Sequence, residues 1–296
     1  QFYYDEAGDA HPAGYLLKNP ALAEIYRNMS EVGISAFYEG SVAEDIATRV
    51  QSHERPGSMV VADVNGYPVL NLKTEAMCND WLTYIVCGFP PPSSGHLTVM
   101  QILGIMEQLE EPDSSLADGL PTAEWLHQFL EASKLSFADR NKYIGDPKFT
   151  DAPGDDWNSM LAPEYLKERA QLVTDVSMDS AEPGTPGSKQ ALYGLQPFQP
   201  EYGTSHISIV DENGNAVSMT TTIESGFGSR IMSDGGTGLS GGFLLNNELT
   251  DFSLSPVDED GSPIANRVEP GKQPRSSMSP SVIFDKETGD LVSLLG

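Results

Sequence analysis

The chain has 296 residues, and its 17 Lys plus Arg face 43 Asp plus Glu, a formal charge of −26. That excludes a general nucleic-acid binder, which needs a basic face to displace counterions from phosphates, and it opposes docking on anionic membranes. Hydrophobic residues make up 39% of the chain, enough for a packed core, yet no apolar run approaches the ~20 residues of a membrane helix. The opening residues, QFYYDEAGDA, carry neither the basic n-region nor the apolar h-region of a signal peptide.

In chain order, the first half reads as mostly helical. A helix is expected from Pro20, with Asn19 as its N-cap. A second is expected from Ser41, where Ser41 and Glu44 have the spacing of a capping box. Residues 97–110 and 122–143 have apolar positions at helical spacing, the latter including Trp125, Phe129, Leu135 and Phe137. PPPSSG (90–95) reads as a turn or polyproline segment between them.

Residues 146–203 are rich in Pro, Gly, Asp and Ser. Only 162–174 looks helical, and 182–203 reads as an exposed loop. From 204 onward the pattern alternates. Two runs flank Glu212-Asn213-Gly214-Asn215, a hairpin signal, and 243–247, 281–285 and 291–296 are further strands. Helices followed by strands predict an α+β fold, or an α/β/α layering with a buried sheet. Cys78 and Cys87 are two ordinary thiols or at most one bridge. Five scattered histidines show no zinc-ligand spacing, so no metal and no cofactor is expected. Gly236, Gly238 and Gly241 match G-x-G-x-x-G, but no helix pattern follows, so a flexible glycine loop is the better reading.

Six ordered blocks carry more information: FYEGSVAEDIA (37–47), PPPSSG (90–95), SFADRNKYIGDP (136–147), TSHISIVDENGNAVSMTTTI (204–223), LLNNELTDFS (244–253) and SSMSP (276–280). Together they resemble the γ-glutamyltransferase (γ-glutamyltranspeptidase) family of N-terminal-nucleophile hydrolases. The resemblance implies a four-layer αββα sandwich, incomplete here at both ends, because the chain resembles an internal stretch of a longer enzyme. It implies that residues 1–203 are the C-terminal part of a large subunit, mostly helical and ending in a processing loop. Residues 204–296 are then the strand-rich, nucleophile-bearing N-terminal part of a small subunit, both made from one precursor.

By the same resemblance, the precursor cuts itself between Gly203 and Thr204. Thr204 then attacks γ-glutamyl amides such as glutathione, passing the acyl group to water or to an amino-acid or dipeptide acceptor. Thr222 aligns with the threonine that hydrogen-bonds the nucleophile. Glu224, Glu248 and Asp251 fall at the positions that bind the substrate ammonium, and Ser276 and Ser277 at those that bind its α-carboxylate. Arg275 stands where many relatives carry Leu, and is either outward-facing or an extra cation near the carboxylate. Residues 253–275 lack the aromatic of the family's lid. Family habit places such enzymes in the periplasm or outside the cell. A glutaryl or cephalosporin-type acylase is the nearest alternative, and a non-processing relative that only binds amino-acid derivatives is another.

Overall fold

The computed structural model describes residues 2–68, 73–112, 114–187, 192–200 and 203–296. The chain divides into two compact units, Gln1–Lys73 with Ile223–Asn247, and Thr74–Thr222 with Glu248–Gly296. Each unit thus contains chain from both sides of the Gly203–Thr204 bond.

In the first unit, α1 (Pro20–Val32) begins as expected, with Asn19 Oδ1 accepting from the Leu22 amide at 3.1 Å. It packs Ile25 against Val42 and Ile46 of α3 (Gly40–Gln51). The expected Ser41/Glu44 capping box is absent. A short helix, α2 (Ser35–Tyr38), runs almost directly into α3, and Gly40 at φ 64° makes the turn. Ser41 is therefore already inside the helix, and Glu39 holds the cap position without a side-chain bond. α4 (Val61–Asn65) completes the helices of this unit.

The glycine loop lies between two short strands that in chain order are the seventh and eighth, Met232–Ser233 and Phe243–Leu244. No helix follows it, so a dinucleotide site lacks its essential part. Asn19 clamps the loop, accepting from the Gly242 amide at 2.8 Å and donating to its carbonyl at 2.7 Å.

The second unit holds two strands that the sequence pattern did not suggest, β1 (Met77–Trp81) and β2 (Tyr84–Gly88). They form a hairpin crossed by a Cys78–Cys87 disulfide. β2 then pairs with Ser281–Asp285, which in turn pairs with Leu291–Leu295, giving a four-stranded antiparallel sheet. α5 (Gly95–Met106), α6 (Ala123–Tyr143) and α7 (Pro163–Ala170) bury Ile102, Ile105, Ala132, Leu135, Leu166 and Ala170 together. Between α5 and α6 a two-stranded turn pairs β3 (Leu116–Ala117) with β4 (Leu120–Pro121). The α+β class expected from the sequence is borne out. Among the described residues no helix is long and apolar enough to cross a membrane.

The described parts of the loop 182–203 are more firmly held than its composition suggests; residues 188–191 and 201–202 lie outside the description. Asp139 on α6 is fully buried and accepts from the Gly184 amide at 2.7 Å and the Tyr165 hydroxyl at 2.7 Å, while Arg169 donates to the Glu182 carbonyl at 2.8 Å.

His96 on α5 is 1% exposed, and its Nε2 lies 2.9 Å from Asn79 Oδ1, which assigns the proton to Nε2. Burial lowers its pKa to about 4. In the unfolded chain the imidazole takes up its second proton near pH ~6.5, so that state binds protons more strongly than the folded one. Stability from this group is therefore full above pH ~6.5 and is lost as pH falls towards ~4, by at most about 3 kcal/mol. Denaturant melts of the wild type and His96→Gln should show a stability gap that narrows across this window. A gap that stays constant would remove His96 from the pH dependence.

Candidate active site

β5 (Ser205–Val210) and β6 (Ala216–Thr221) form the hairpin expected after residue 204. Its turn is closed by Asp211, which accepts from the Asn213 and Asn215 amides at 2.8 Å each, with Gly214 at φ 82°. One face is polar, where His206 Nδ1 meets Thr220 Oγ1 at 2.8 Å, and Ser208 and Ser218 donate to the Leu294 and Leu295 carbonyls at 3.2 and 3.0 Å. This fastens the hairpin to the last strand of the four-stranded sheet, β10 (Leu291–Leu295).

Ser205 pairs with Thr221, so the same register places Thr204 opposite Thr222, one residue nearer the open end. Thr204 is exposed, and its hydroxyl donates to the Thr221 carbonyl at 2.6 Å. Gly203 is outside the left-handed region, and a Cβ built on it meets nothing among the described residues within 4 Å.

Glu248 and Asp251 begin and end a 3₁₀ turn, Glu248–Asp251, whose i and i+3 side chains share one face. That turn is held from two sides. Gln199, upstream of Gly203, donates through its amide to the Thr250 and Phe252 carbonyls, the latter at 3.2 Å, and accepts from the Leu254 amide at 3.2 Å. Asn266, fully buried, donates to the Asp251 carbonyl at 2.7 Å and accepts from the Arg275 amide at 2.9 Å. A single side chain thereby ties the carboxylate turn to the chain that enters Ser276.

The serine pair is strapped by PPPSSG. The Ser276 amide donates to the Pro92 carbonyl at 3.1 Å, and the Ser276 carbonyl accepts from both the amide and the hydroxyl of Ser94, each at 2.8 Å. Ser93 Oγ donates to the Met278 carbonyl at 2.6 Å, and the Met278 amide to Ser276 Oγ at 3.1 Å. Ser277 Oγ accepts from the Arg140 guanidinium. Arg275 is not outward-facing. It is 3% exposed, and its guanidinium donates to the Arg140 carbonyl at 3.1 Å and Asn141 Oδ1 at 3.3 Å.

Glu224 lies in the first unit. It is buried at φ 68°, a left-handed conformation costly for a residue with a Cβ, and its Oε2 accepts from Ser225 Oγ at 2.7 Å and from the Asn247 amide. Thr204, Thr222, Glu248, Asp251, Ser276 and Ser277 all lie in the second unit. Asn266 and Arg140 escaped the sequence reading, because nothing local marks a buried bridging amide or guanidinium. Their only signal was membership of the 253–275 segment and of SFADRNKYIGDP.

A sequence profile described as Gamma-glutamyltranspeptidase matches residues 1–296. Glutathione hydrolase 2 of Arabidopsis thaliana is 33% identical over 296 residues, covering 98% of this chain and 46% of the relative. A glutathione hydrolase proenzyme of Pseudomonas aeruginosa is 35% identical over 275 residues, covering 92% of this chain and 45% of the relative. Among solved structures, a cephalosporin acylase from Bacillus halodurans matches in backbone with a TM-score of 0.76 at 24% identity, covering 99% of this chain and 46% of that one. That likeness concerns fold alone, and it accords with the α+β class expected from the sequence. The chain spans about half the length of the curated relatives it matches.

Proposed function

This chain belongs to the gamma-glutamyltranspeptidase family, and from that premise we propose that it is part of a self-processing γ-glutamyl hydrolase or transpeptidase with Thr204 as its nucleophile. Processing begins with attack of Thr204 Oγ on the Gly203 carbonyl. The peptide C–N bond breaks as the ester forms, and the proton from Oγ ends on the new α-amine. Water then opens the ester, leaving a carboxylate on Gly203 and a free hydroxyl on Thr204. Glycine's role at 203 is steric access for the attack, since a Cβ there would meet nothing among the described residues within 4 Å.

The new α-amine, with a pKa near ~8, serves as base for the adjacent hydroxyl. Thr204 Oγ adds to the γ-carbonyl of glutathione or a related γ-glutamyl compound, and the proton it gave up passes to the departing amine. Water or an acceptor amine then releases the acyl group. Thr222 supports the nucleophile from across the hairpin. Glu248 and Asp251 receive the substrate ammonium, and Ser276 and Ser277 its α-carboxylate.

The observation that carries this reading is the link through Asn266. A zwitterionic head needs carboxylates and donors at a fixed separation, and one buried side chain joins the turn bearing Glu248 and Asp251 to the chain entering the serine pair. A glutaryl group has no α-amine and gives those carboxylates nothing to bind, so the glutamyl reading stands above the acylase one. Export to the periplasm or cell surface accords with the Cys78–Cys87 disulfide, which persists in oxidising compartments. N-terminal sequencing of the purified full-length protein tests the proposal directly. A fragment beginning at Thr204 that releases p-nitroaniline from γ-glutamyl-p-nitroanilide supports it. One uncut, inactive chain supports a non-processing binding protein instead.

Hydrolysis should compete well with transfer. The lid-position segment is anchored at its base, where the Ser253 amide donates to the Asn266 carbonyl at 2.9 Å, and Ile264 and Ala265 are fully buried. Its exposed part, residues 254–262, has no aromatic side chain to shield an acyl-enzyme from water. Free glutamate, measured against γ-glutamyl-glycylglycine as the acceptor rises at neutral pH, should remain a substantial product. Almost pure transfer product would contradict the lid argument.

A further inference from the structure

We propose that Arg140 is a positioning residue for recognition of the substrate α-carboxylate, acting through Ser277. The proposal rests on the reading of Ser277 as a carboxylate-binding residue. Arg140, on α6, is 3% exposed, and Ser94, Asn141 and Ser277 are among the partners of its guanidinium. Nε donates to Ser94 Oγ at 3.0 Å, one terminal nitrogen donates to Asn141 Oδ1 at 3.0 Å, and the other donates to Ser277 Oγ.

A guanidinium offers donors only, so both serine oxygens must accept from it, and each hydroxyl proton must point elsewhere. For Ser94 the destination is visible, since its hydroxyl donates to the Ser276 carbonyl at 2.8 Å. The bond from Arg140 likewise turns the Ser277 hydroxyl proton away from the guanidinium, so that an acceptor on its other side meets it as a donor. A carboxylate accepts and cannot donate, so this is the polarity its recognition requires. The buried charge also polarises the Ser277 hydroxyl and strengthens it as a donor. Arg140 thus sets the direction of one serine and, through Ser94, the backbone position of the other.

Lysine keeps the charge but cannot bridge several acceptors in one plane. Arg140→Lys should therefore raise KM for γ-glutamyl-p-nitroanilide about tenfold or more, the scale of a lost charge-assisted contact. It should change KM less than about threefold for the same anilide with the α-carboxylate replaced by a carboxamide. In a Ser277→Ala background the lysine substitution should add less than about threefold. The variants are made in the full-length protein and compared in mature form, with thermal melts alongside.

Equal losses on both substrates, or full additivity with Ser277→Ala, would overturn the proposal. If Ser277→Ala raises KM selectively for the carboxylate substrate while Arg140→Lys does not, the proposal fails and the reading of Ser277 survives. If Ser277→Ala itself shows no selectivity, both fall. Should Arg140→Lys melt at assay temperature, Ser94→Ala decides. It frees one arm of the guanidinium, and a smaller loss restricted to the carboxylate substrate supports the proposal, whereas an unselective loss overturns it.

Discussion

Thr204→Ala should leave a single uncut chain on a denaturing gel, where the wild type gives two pieces parted between residues 203 and 204. γ-Glutamyl transfer and hydrolysis should fall together, by about 10⁴-fold or more, the scale of losing a nucleophile that acts as a unit with its base. Thr204→Ser keeps a hydroxyl and should still be cut. The structure adds an expectation about the pieces. β2, before the cut, pairs with β9 (Ser281–Asp285), after it, so the halves share one sheet and should co-elute under native conditions. Cleavage persisting in Thr204→Ala, or mapping elsewhere, would remove Thr204 from the mechanism.

Asp251→Asn should weaken turnover of γ-glutamyl-p-nitroanilide much more than that of glutaryl-p-nitroanilide. Loss of a charge-assisted contact costs about 1.5–3 kcal/mol, which is roughly tenfold to 150-fold in kcat/KM for the substrate that carries an ammonium. The substitution is nearly isosteric, and the Asp251 carbonyl that accepts from Asn266 is unaltered, so the 3₁₀ turn should keep its place. Glu248→Gln should act in the same direction from the other end of the turn. Equal losses on the two anilides would mean that the turn does not read the amine.

The six ordered motif blocks already contained Thr204, Thr222, Glu248, Asp251 and the serine pair, and the structure gathers these six into one unit. What it adds is the supports between them. Arg140 lies 137 residues from Ser277, and Asn266, though only 15 from Asp251, is a lone amide that reads as a surface residue until its burial is seen.

Elements whose stability is local were legible in consecutive residues. α1 carries its own cap in Asn19, α5 and α6 their helical apolar spacing, and the hairpin after Thr204 its alternation and its Asp211–Asn215 turn. Tertiary structure alone decided elements whose partners lie far along the chain. Tyr84–Gly88 has little alternation of its own; beyond its local hairpin with Met77–Trp81, it joins a four-stranded sheet only because it finds Ser281–Asp285 nearly two hundred residues later. The Ser41 capping box failed because Gly40 allowed the preceding helix to run straight into α3. Arg275, ambiguous in sequence, turned inward because the Arg140 carbonyl and Asn141 offered acceptors to a guanidinium with no acceptor of its own. Short-range hydrogen bonds and periodicity are written in consecutive residues. Long-range pairing and the satisfaction of buried polar groups arise only when distant segments meet.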